Sequence, residues 1–554
     1  MQLSHVQRLW NLLVTERKEI IPVYFYAFLN GLVQLAIPLG IQAIIGFVMG
    51  ASMVTSIYVL IVVIVLAVLL VGIMQIKQMQ IIEKIQQKIF TRYAFAFTET
   101  IPRIDLVSQG SGFLPEKVNR FFDTVGIQKG LSKLLLDIPT ASIQIVFGLL
   151  LLALYHPLFI VFGFLLLFIL WMILKLTGKN GLRTSMKESS YKYAVVSWLE
   201  EMALNIKSFK FTQGTHLNLQ KTDSNLLGYL SSRTRHFNVL LFQYWSLVIF
   251  KVMITAGMLG VGTYLLIQQQ LNIGEFIAAE IVILTVITAV EKLIINLDSV
   301  YDVITGLEKL SLVLETPLEK DGNRTFIPSD SGMDIELIDF GFHYPEGRNI
   351  LENVNISIPA NSITCISGHS GAGKSTLLKL LGGYYSDHHH GSLLYDDCPS
   401  GQYKLESLRQ HISMYLQQDE LYKGTILENI SLGRKSVTYE KVAQMISRLE
   451  LEDYFKVLKD NLETGVYQSG NNLSGMMKKI ILVLRALVTE PRLLLMEEPL
   501  LGMDDRIKGN ILRYLFTLKQ HSTIFIVSSD QAFARTCDYH IEIHNRNLKL
   551  TRNR

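Results

Sequence analysis

The chain has 554 residues, of which 49% are hydrophobic and only 18% are charged, and its formal net charge is +4. A composition this apolar excludes an ordinary soluble protein and predicts several membrane spans. The small net charge does not indicate nucleic-acid binding, because basic residues clustered between spans are explained by membrane topology.

The start of the chain has an amphipathic pattern. Five apolar side chains fall on one side of a helix over residues 2–20: Leu3, Val6, Leu9, Trp10 and Leu13. We therefore expect residues 1–18 to form an interfacial helix on the inner membrane surface, with a frayed terminus as the alternative. The apolar stretch that follows is too long for a signal peptide, so we expect neither a cleavable signal nor a soluble module before the first span.

Six later segments each offer the roughly 20 apolar residues needed to cross about 30 Å of hydrocarbon. They lie near residues 20–50, 54–77, 135–155, 157–175, 240–267 and 273–297. The three short connections carry no Lys or Arg, whereas the two long ones carry many, among them Lys84, Arg92 and Lys187. The positive-inside rule therefore places the long loops and both termini in the cytosol. Because the long loops keep a helical periodicity, we expect the spans to extend well beyond the membrane.

Three of the charged residues inside these predicted spans are candidates for a functional or structural role. At 1.5 Å per residue, Glu280 is about 15 Å below the outer turn, near the bilayer midplane. It is the candidate for contact with cargo or a proton; the alternative is a carboxylate that faces a water-filled cavity or pairs with a neighbouring helix. Lys251 and Glu291 lie at similar depths, so we expect a structural ion pair near the cytosolic edge.

The second half of the chain has the pattern of an α/β domain. The membrane domain is assigned to residues 19–320, a linker to 321–332 and the second domain to 333–554, where strand-like runs alternate with amphipathic stretches. Strands are predicted over residues 335–338 and 363–367. The three cysteines also fall in this half: Cys365, Cys398 and Cys537. Their spacing fits no metal site, so we expect buried core residues in a reducing compartment.

A glycine-rich loop directly follows the second predicted strand. It consists of Gly368, His369, Ser370, Gly371, Ala372, Gly373, Lys374 and Ser375, with Thr376 next. Glycines let successive backbone N–H groups turn toward phosphates, and the predicted helix over residues 374–381 offers its positive N-terminus. Lys374 would neutralise the outer phosphates of a nucleotide, and Ser375 would ligate Mg²⁺. Strand, loop and helix together predict a site for ATP and Mg²⁺.

Further motifs surround this loop. They are Tyr344 in Phe342-His343-Tyr344-Pro345, Gln417 ahead of Gly424-Thr425-Ile426, Leu473-Ser474-Gly475, and the run from Leu493 to Pro499. With the six spans, they resemble half-transporters of the ABC exporter superfamily over nearly the whole chain. The resemblance implies an α-helical membrane domain of six transmembrane helices extended into the cytosol, followed by an α/β P-loop NTPase domain of ABC type.

The resemblance also assigns roles to individual residues. Tyr344 would stack on adenine, and Gln417 would sense Mg²⁺ and the membrane domain. Glu497 would hold the Mg²⁺ shell together with Ser375, and Glu498 would be the catalytic residue that polarises the attacking water. These assignments imply ATP and Mg²⁺ as the ligands of the site.

Three departures from the family pattern bear on activity. Glu497 stands where the family has aspartate, which moves the charge one methylene further out. In Leu473-Ser474-Gly475-Met476-Met477 the second glycine and the glutamine are missing, although Ser474, with Gly475 beside it, can still reach a γ-phosphate. Ser529 stands where a histidine would contact that phosphate. We therefore expect an ABC-type ATPase with impaired hydrolysis; the alternative is that such variation is tolerated at a lower rate.

In the family, ATP is held between the phosphate loop of one domain and the signature of the other. A homodimer would then carry both defects in each site, and a heterodimer with an intact partner would repair only one of them in each site. The choice between homodimer and heterodimer stays open at the level of sequence.

The membrane segments, including Trp198 to Ala203 and Phe276 to Ile281, are similar to ABC subunits of bacterial type I protein and peptide secretion. This similarity implies ATP-driven export across the bacterial inner membrane by a dimer with alternating access. The implied partners are a second ABC half-transporter, a periplasmic membrane-fusion adaptor, an outer-membrane channel and the lipid bilayer, but no nucleic acid. The alternatives are a non-hydrolysing, ATP-gated or regulatory subunit, and an exporter of lipid or small hydrophobic molecules.

Overall fold

The computed structural model of the chain describes residues 4–50, 54–107, 114–211, 215–327, 329–344, 347, 349–385 and 388–553. Leu3, one of the apolar residues of the predicted interfacial helix, lies outside them. The chain divides into two compact units, residues 1–102 with 112–316 and residues 103–111 with 317–554.

Eleven helices are described in the first unit. They are α1 (His5–Thr15), α2 (Arg17–Gln34), α3 (Ala36–Met49), α4 (Val54–Thr100), α5 (Leu114–Val118), α6 (Asp123–Tyr155), α7 (Leu158–Leu204), α8 (Ile206–Lys210), α9 (Leu217–Ile267), α10 (Ile273–Ile295) and α11 (Leu297–Leu314). Among the described residues, six helical stretches are long and apolar enough to cross a membrane, as predicted. α4 and α7 have 47 residues each, or about 70 Å at 1.5 Å per residue. That is more than twice the hydrocarbon thickness, which confirms the predicted extension beyond the membrane.

The N-terminal helix α1 begins at a capping box. The Ser4 hydroxyl accepts a hydrogen bond from the Gln7 N–H, and the Gln7 side chain accepts one from the Ser4 N–H. Such reciprocal bonds satisfy N–H groups that the first turn leaves without partners. On one face, Arg8 forms an ion pair of 2.7 Å with Glu315, directly after α11. On the other, Trp10 is 65% exposed. The amphipathic pattern therefore belongs to a helix that packs against α11 and leaves apolar side chains outside.

The first predicted span is broken into α2 and α3 at Leu35. Pro38, one turn later, has no N–H to donate to the Gln34 carbonyl, and its ring crowds that carbonyl. At the break itself, the Leu35 N–H donates to the Leu32 carbonyl at 3.2 Å, three residues back rather than the four of an α-helix. The sequence pattern predicted a continuous span here, and the break is a difference that Pro38 explains.

The second unit contains two larger sheets. Its strands are β1 (Ile335–His343), β2 (Asn349–Ile358), β3 (Ile363–Gly368), β4 (His389–Tyr395), β5 (Cys398–Pro399), β6 (Ile412–Tyr415), β7 (Gly424–Thr425), β8 (Gly465–Val466), β9 (Leu493–Glu497), β10 (Thr523–Val527), β11 (Tyr539–His544) and β12 (Asn547–Arg552). The order of one sheet is β12-β11-β3-β10-β9-β6, and that of the other, antiparallel sheet is β2-β1-β4-β5. In the six-stranded sheet all neighbours are parallel except β11 and β12. The carboxyl ends of β3, β9 and β10 therefore meet at one edge, where ligands of α/β folds bind.

Eight helices belong to this unit. They are α12 (Lys374–Leu381), α13 (Leu405–Arg409), α14 (Ile426–Ser431), α15 (Tyr439–Arg448), α16 (Glu452–Lys456), α17 (Gly475–Leu487), α18 (Asp505–Leu518) and α19 (Gln531–Thr536). The central strands are mostly apolar, because parallel strands are covered on both faces. All five residues of β10 are buried. The three cysteines are free and buried, which confirms the prediction of core residues.

Candidate functional site

The glycine-rich loop connects β3 to α12 at the sheet edge just described. The strand and the helix both lie where they were predicted. Gly373 has φ +105°, and a Cβ there would lie 2.6 Å from the Ile350 side chain, so only glycine fits. The Lys374 ammonium donates hydrogen bonds to the carbonyls of Gly368 at 2.8 Å and His369 at 3.0 Å. The loop is thus folded around its own lysine, with the N-terminus of α12 at its end.

Ser375 and Glu497 meet at the start of α12. The Ser375 hydroxyl donates a hydrogen bond to one carboxylate oxygen of Glu497, and the Gln417 N–H donates to the other at 3.2 Å. A hydroxyl beside a carboxylate fits Mg²⁺, which prefers oxygen ligands and keeps several from water and phosphate. The glutamate thus reaches the serine despite its extra methylene. Within the described residues no group of three or more His, Cys, Asp or Glu side chains could hold a metal ion by itself.

Glu498 follows β9 in a left-handed backbone conformation, with φ +47°. Non-glycine residues pay for this conformation in strain, and such strained positions cluster at functional sites. The Glu498 N–H donates to the Val527 carbonyl at 2.9 Å, which fixes the turn to the end of β10. Ser529 is exposed two residues beyond Val527. The parallel register, with Val527 opposite both Ile366 and Glu497, therefore brings the phosphate loop, the two glutamates and Ser529 to one edge.

Tyr344 lies beside the first turn of α12. Its hydroxyl is 3.2 Å from the Thr376 hydroxyl, within hydrogen-bond distance. Its ring packs edge-on against Tyr385, with centroids 5.9 Å apart, and Phe342 stacks on Tyr385 at 5.3 Å. An aromatic group therefore stands next to the phosphate loop, where the base of a bound nucleotide would need a stacking surface.

The altered signature lies at the start of α17. The Ser474 hydroxyl caps this helix by accepting from the Met477 N–H at 3.2 Å. Ser474 and Gly475 are exposed, and no hydrogen bond joins either to the phosphate loop within the described part of the chain. Met477 is only 4% exposed and belongs to the apolar core, against which Met476 also packs. The two methionines thus contribute to the core of the domain.

Lys479 was missed by the sequence analysis. Its ammonium donates a hydrogen bond to the Leu501 carbonyl, in the loop that follows Glu498. Burial lowers the pKa of Lys479, and the nearby Glu498 carboxylate opposes that shift. The pair Lys478 and Lys479 directly after the altered signature was the available signal.

In the first unit, called the membrane unit because it contains the six long apolar helices, Lys251 and Glu291 form the predicted ion pair, with a distance of 2.7 Å. Glu280 lies seven residues after the start of α10, about 10 Å at 1.5 Å per residue. This is shallower than the expected 15 Å, because α10 begins after the turn. Glu280 is half-buried and has no ion pair or hydrogen bond to another described side chain.

A protein-family model for ABC transporters matches residues 351–501. This stretch contains the phosphate loop, Gln417, the altered signature and both glutamates. The second unit is an ABC transporter domain. Tyr344 and Ser529 lie outside the matched stretch and belong to the site through the geometry described above.

Two relatives show the extent of the similarity. The alpha-hemolysin translocation ATP-binding protein HlyB of Escherichia coli O157:H7 is 29% identical over 333 residues, 60% of this chain and 47% of the relative. The multidrug resistance-like ATP-binding protein MdlB of Buchnera aphidicola is 29% identical over 221 residues, 40% of this chain and 38% of the relative. The chain therefore matches about half or less of each relative's length.

A solved structure resembles nearly the whole chain. It is that of a bacterial Atm1-family ABC exporter with ATP bound, with a TM-score of 0.85 and 19% identity, and the match covers 98% of this chain and 96% of that one. The predicted fold class is confirmed. Six long apolar helices are followed by one ABC transporter domain, and this fold matches that of the exporter over nearly its whole length.

Proposed function

We propose that this chain is one half of an ATP-driven exporter of the bacterial inner membrane, with a protein or peptide as cargo. The observation that carries the proposal is the contact of Ser375 with Glu497 beside the folded phosphate loop. It supplies the oxygen ligands that an ATP–Mg²⁺ complex needs at the sheet edge. The similarity to a protein named for alpha-hemolysin translocation favours polypeptide cargo.

Each residue of the site has a role in this proposal. The loop N–H groups and Lys374 bind the phosphates, while Tyr344 stacks on adenine. Ser375 and Glu497, near Gln417, would hold Mg²⁺, which would neutralise phosphate charge when bound. Glu498 orients a water and accepts its proton as the water oxygen attacks the γ-phosphorus and the bond to the leaving oxygen of ADP breaks.

The altered signature and Ser529 support slow hydrolysis. Met477 is buried in the core, whereas the glutamine of the family pattern would place a polar side chain at the surface of α17. Ser529 offers a hydroxyl where an imidazole would give a charge-assisted hydrogen bond to phosphate. The same observations favour a second candidate function, a non-hydrolysing ATP-gated or regulatory subunit.

The remaining partners and the topology belong to the same proposal. The half-transporter pairs with a second one, as a homodimer or heterodimer, and alternates between inward and outward access. Both termini lie in the cytosol, residues 1–18 lie on the inner surface, and Glu280 contacts cargo. A periplasmic adaptor and an outer-membrane channel complete the path. Export of lipid or small hydrophobic molecules is the alternative.

Substitution of Glu498 by Gln tests the enzyme. The purified protein in lipid nanodiscs should hydrolyse ATP, and Glu498→Gln should lower turnover roughly 100-fold or more, because it removes the general base. Binding of a fluorescent ATP analogue should stay unchanged. Glu490→Gln is the matched control, since Glu490 is 45% exposed and pairs with Lys441 and Arg448 away from the site. Bound ATP without Glu498-dependent turnover, alone or with a partner subunit, would establish the non-hydrolysing function instead.

A further inference from the structure

The break in the first span opens a small cavity inside the membrane unit. Its volume is about 130 Å³, and its walls come from α2, α3, α6 and α10. The residues that matter here are Gly31, Gln34, Pro38, Gln144, Gly148 and Thr285. A cavity of roughly 150 Å³ holds a benzene ring, so this one holds a single side chain.

Two glutamine amides face each other in this cavity. The Gln144 side chain donates an N–H to the Gln34 side-chain oxygen. That bond leaves the Gln34 NH₂ group and the Gln144 oxygen without a partner among the described residues. At least one donor group and one acceptor therefore remain available to a ligand in the cavity. This is the complement of another carboxamide, which offers one oxygen and one NH₂ group.

The backbone and a neighbouring side chain add to this unsatisfied polarity. Pro38 cannot donate to the Gln34 carbonyl, as described above. One turn before Gln34, Asn30 is fully buried, and neither of its amide atoms has a hydrogen-bond partner within the described structure. Buried polar groups are nearly always hydrogen-bonded, so polar groups left over at membrane depth require a ligand or water.

The cavity lies near the middle of the bilayer. Gln144 is 11 residues from the end of α6 and Thr285 is 12 residues from the start of α10, or about 16 and 18 Å from the outer ends at 1.5 Å per residue. None of the residues that line the cavity carries a charge. A broken span beside an uncharged polar cavity at this depth is the arrangement in which transporters bind substrate.

We infer that this cavity is a cargo subsite for an uncharged carboxamide, such as an Asn or Gln side chain of a polypeptide in transit. The inference rests on the proposed export function and names the cargo chemistry that the subsite selects. Gln34 and Gln144 discriminate by hydrogen bonding, because an apolar side chain in the cavity leaves both amides unpaired.

Two labelled nonapeptides test the inference. One repeats Gly-Asn-Gly and the other the nearly isosteric Gly-Leu-Gly, and binding to the full chain in nanodiscs is measured by fluorescence anisotropy without nucleotide, with empty nanodiscs subtracted. The Asn peptide should bind about tenfold more tightly, which corresponds to about 1.4 kcal/mol, because the Leu side chain leaves the two amides unpaired. Gln34→Met and Gln144→Met should each abolish this preference.

Gln42→Met is the matched control. Gln42 accepts a hydrogen bond from the Tyr155 hydroxyl at 2.7 Å and does not line the cavity, so its loss should keep the preference. Thr285→Leu enlarges a side chain that lines the cavity and leaves both amides in place, so it should weaken binding of the Asn peptide. This variant keeps the test valid if a Gln variant does not fold. Equal affinity, preference for the Leu peptide, a preference that survives in both Gln variants, or its loss in Gln42→Met would overturn the inference.

The binding assay separates this inference from the exporter function. A chain that hydrolyses ATP in a Glu498-dependent manner and exports cargo without preferring the Asn peptide would overturn the subsite alone. A chain that prefers the Asn peptide but neither hydrolyses nor exports would overturn the proposed function and leave the binding site standing.

Discussion

At the scale of single residues, Lys479 connects two segments that the family resemblance treats separately. Lys479 lies near the start of α17, next to the altered signature. Its ammonium donates a hydrogen bond to the carbonyl of Leu501, three residues after Glu498. Glu498 itself has a strained left-handed backbone. A charged hydrogen bond that holds the following loop therefore helps to maintain the turn that aims the Glu498 carboxylate.

Lys479→Met should slow ATP turnover without weakening ATP binding. The substitution keeps the packing of the stem but removes the bond to Leu501, and we expect kcat to fall about fivefold to tenfold. KM for ATP should stay within about twofold, because the phosphate loop is untouched. The measurement is phosphate release as a function of ATP concentration. Lys478→Met is the control, since the Lys478 ammonium has no hydrogen bond or ion pair to another described residue; equal losses in both variants would contradict the positioning role.

At the scale of helices, the ion pair between Lys251 and Glu291 joins α9 to α10. Lys251 is 16 residues from the end of α9 and Glu291 is 18 residues from the start of α10, or about 24 and 27 Å at 1.5 Å per residue. Both side chains are 34% exposed. The pair thus lies between the surface case, in which ion pairs contribute little, and the buried case, in which a lone charge is costly.

Removal of either charge should destabilise the membrane unit more than removal of both. We expect Lys251→Met and Glu291→Gln each to cost about 1–3 kcal/mol, because each leaves the other charge alone, and the double variant to recover most of that loss. Thermal unfolding of the four proteins in one detergent gives the coupling energy. Strict additivity of the two single effects would show that the pair contributes nothing.

The elements that were predicted correctly share a strong local signal. The phosphate-loop strand and helix are marked by buried apolar residues, glycines at fixed positions and Lys374, and the structure has both where they were predicted. The break at Leu35 lacks such a signal. Pro22 and Pro139 lie inside the unbroken helices α2 and α6, so proline alone does not decide whether a helix breaks. Packing of this span against α6 and α10, which the local sequence does not encode, also contributes to the break.

The candidate site likewise has some features that a sequence pattern predicts and others that depend on tertiary contacts. The family pattern predicted residues at the carboxyl ends of β3, β9 and β10, because parallel order brings those ends together. It could not predict where long side chains of the altered signature would go. Met477 enters the core and Lys479 crosses to another loop, and both outcomes depend on tertiary contacts.

At the scale of the whole molecule, the family resemblance assigns two of the three departures of one chain, Ser529 and the altered signature, to different composite sites. The resemblance implies that each ATP lies between the phosphate loop of one subunit and the signature of the other. Ser529 then belongs to the half of the site that binds the phosphates, and Met476 belongs to the opposite half. In a homodimer, both sites carry both defects.

This arrangement predicts a specific result when repaired chains are mixed. Ser529→His alone and Met476→Gly with Met477→Gln alone should each raise ATP turnover of the homodimer only in part, and the triple variant should be fastest. A charge-assisted hydrogen bond to phosphate is worth about 1.5–3 kcal/mol, so its gain should be about tenfold or more. The decisive sample is a heterodimer of one Ser529→His chain and one signature-repaired chain, isolated with two affinity tags.

In that heterodimer, one composite site contains the new histidine and the repaired signature, while the other contains neither. If the two sites act independently, turnover should be about half that of the triple-variant homodimer and above that of either partly repaired homodimer. If each site were built within one chain, both sites would be half-repaired, and turnover would equal the mean of the two partly repaired homodimers. Phosphate release from the heterodimer, the triple-variant homodimer and the two partly repaired homodimers, all at equal concentration, distinguishes these outcomes.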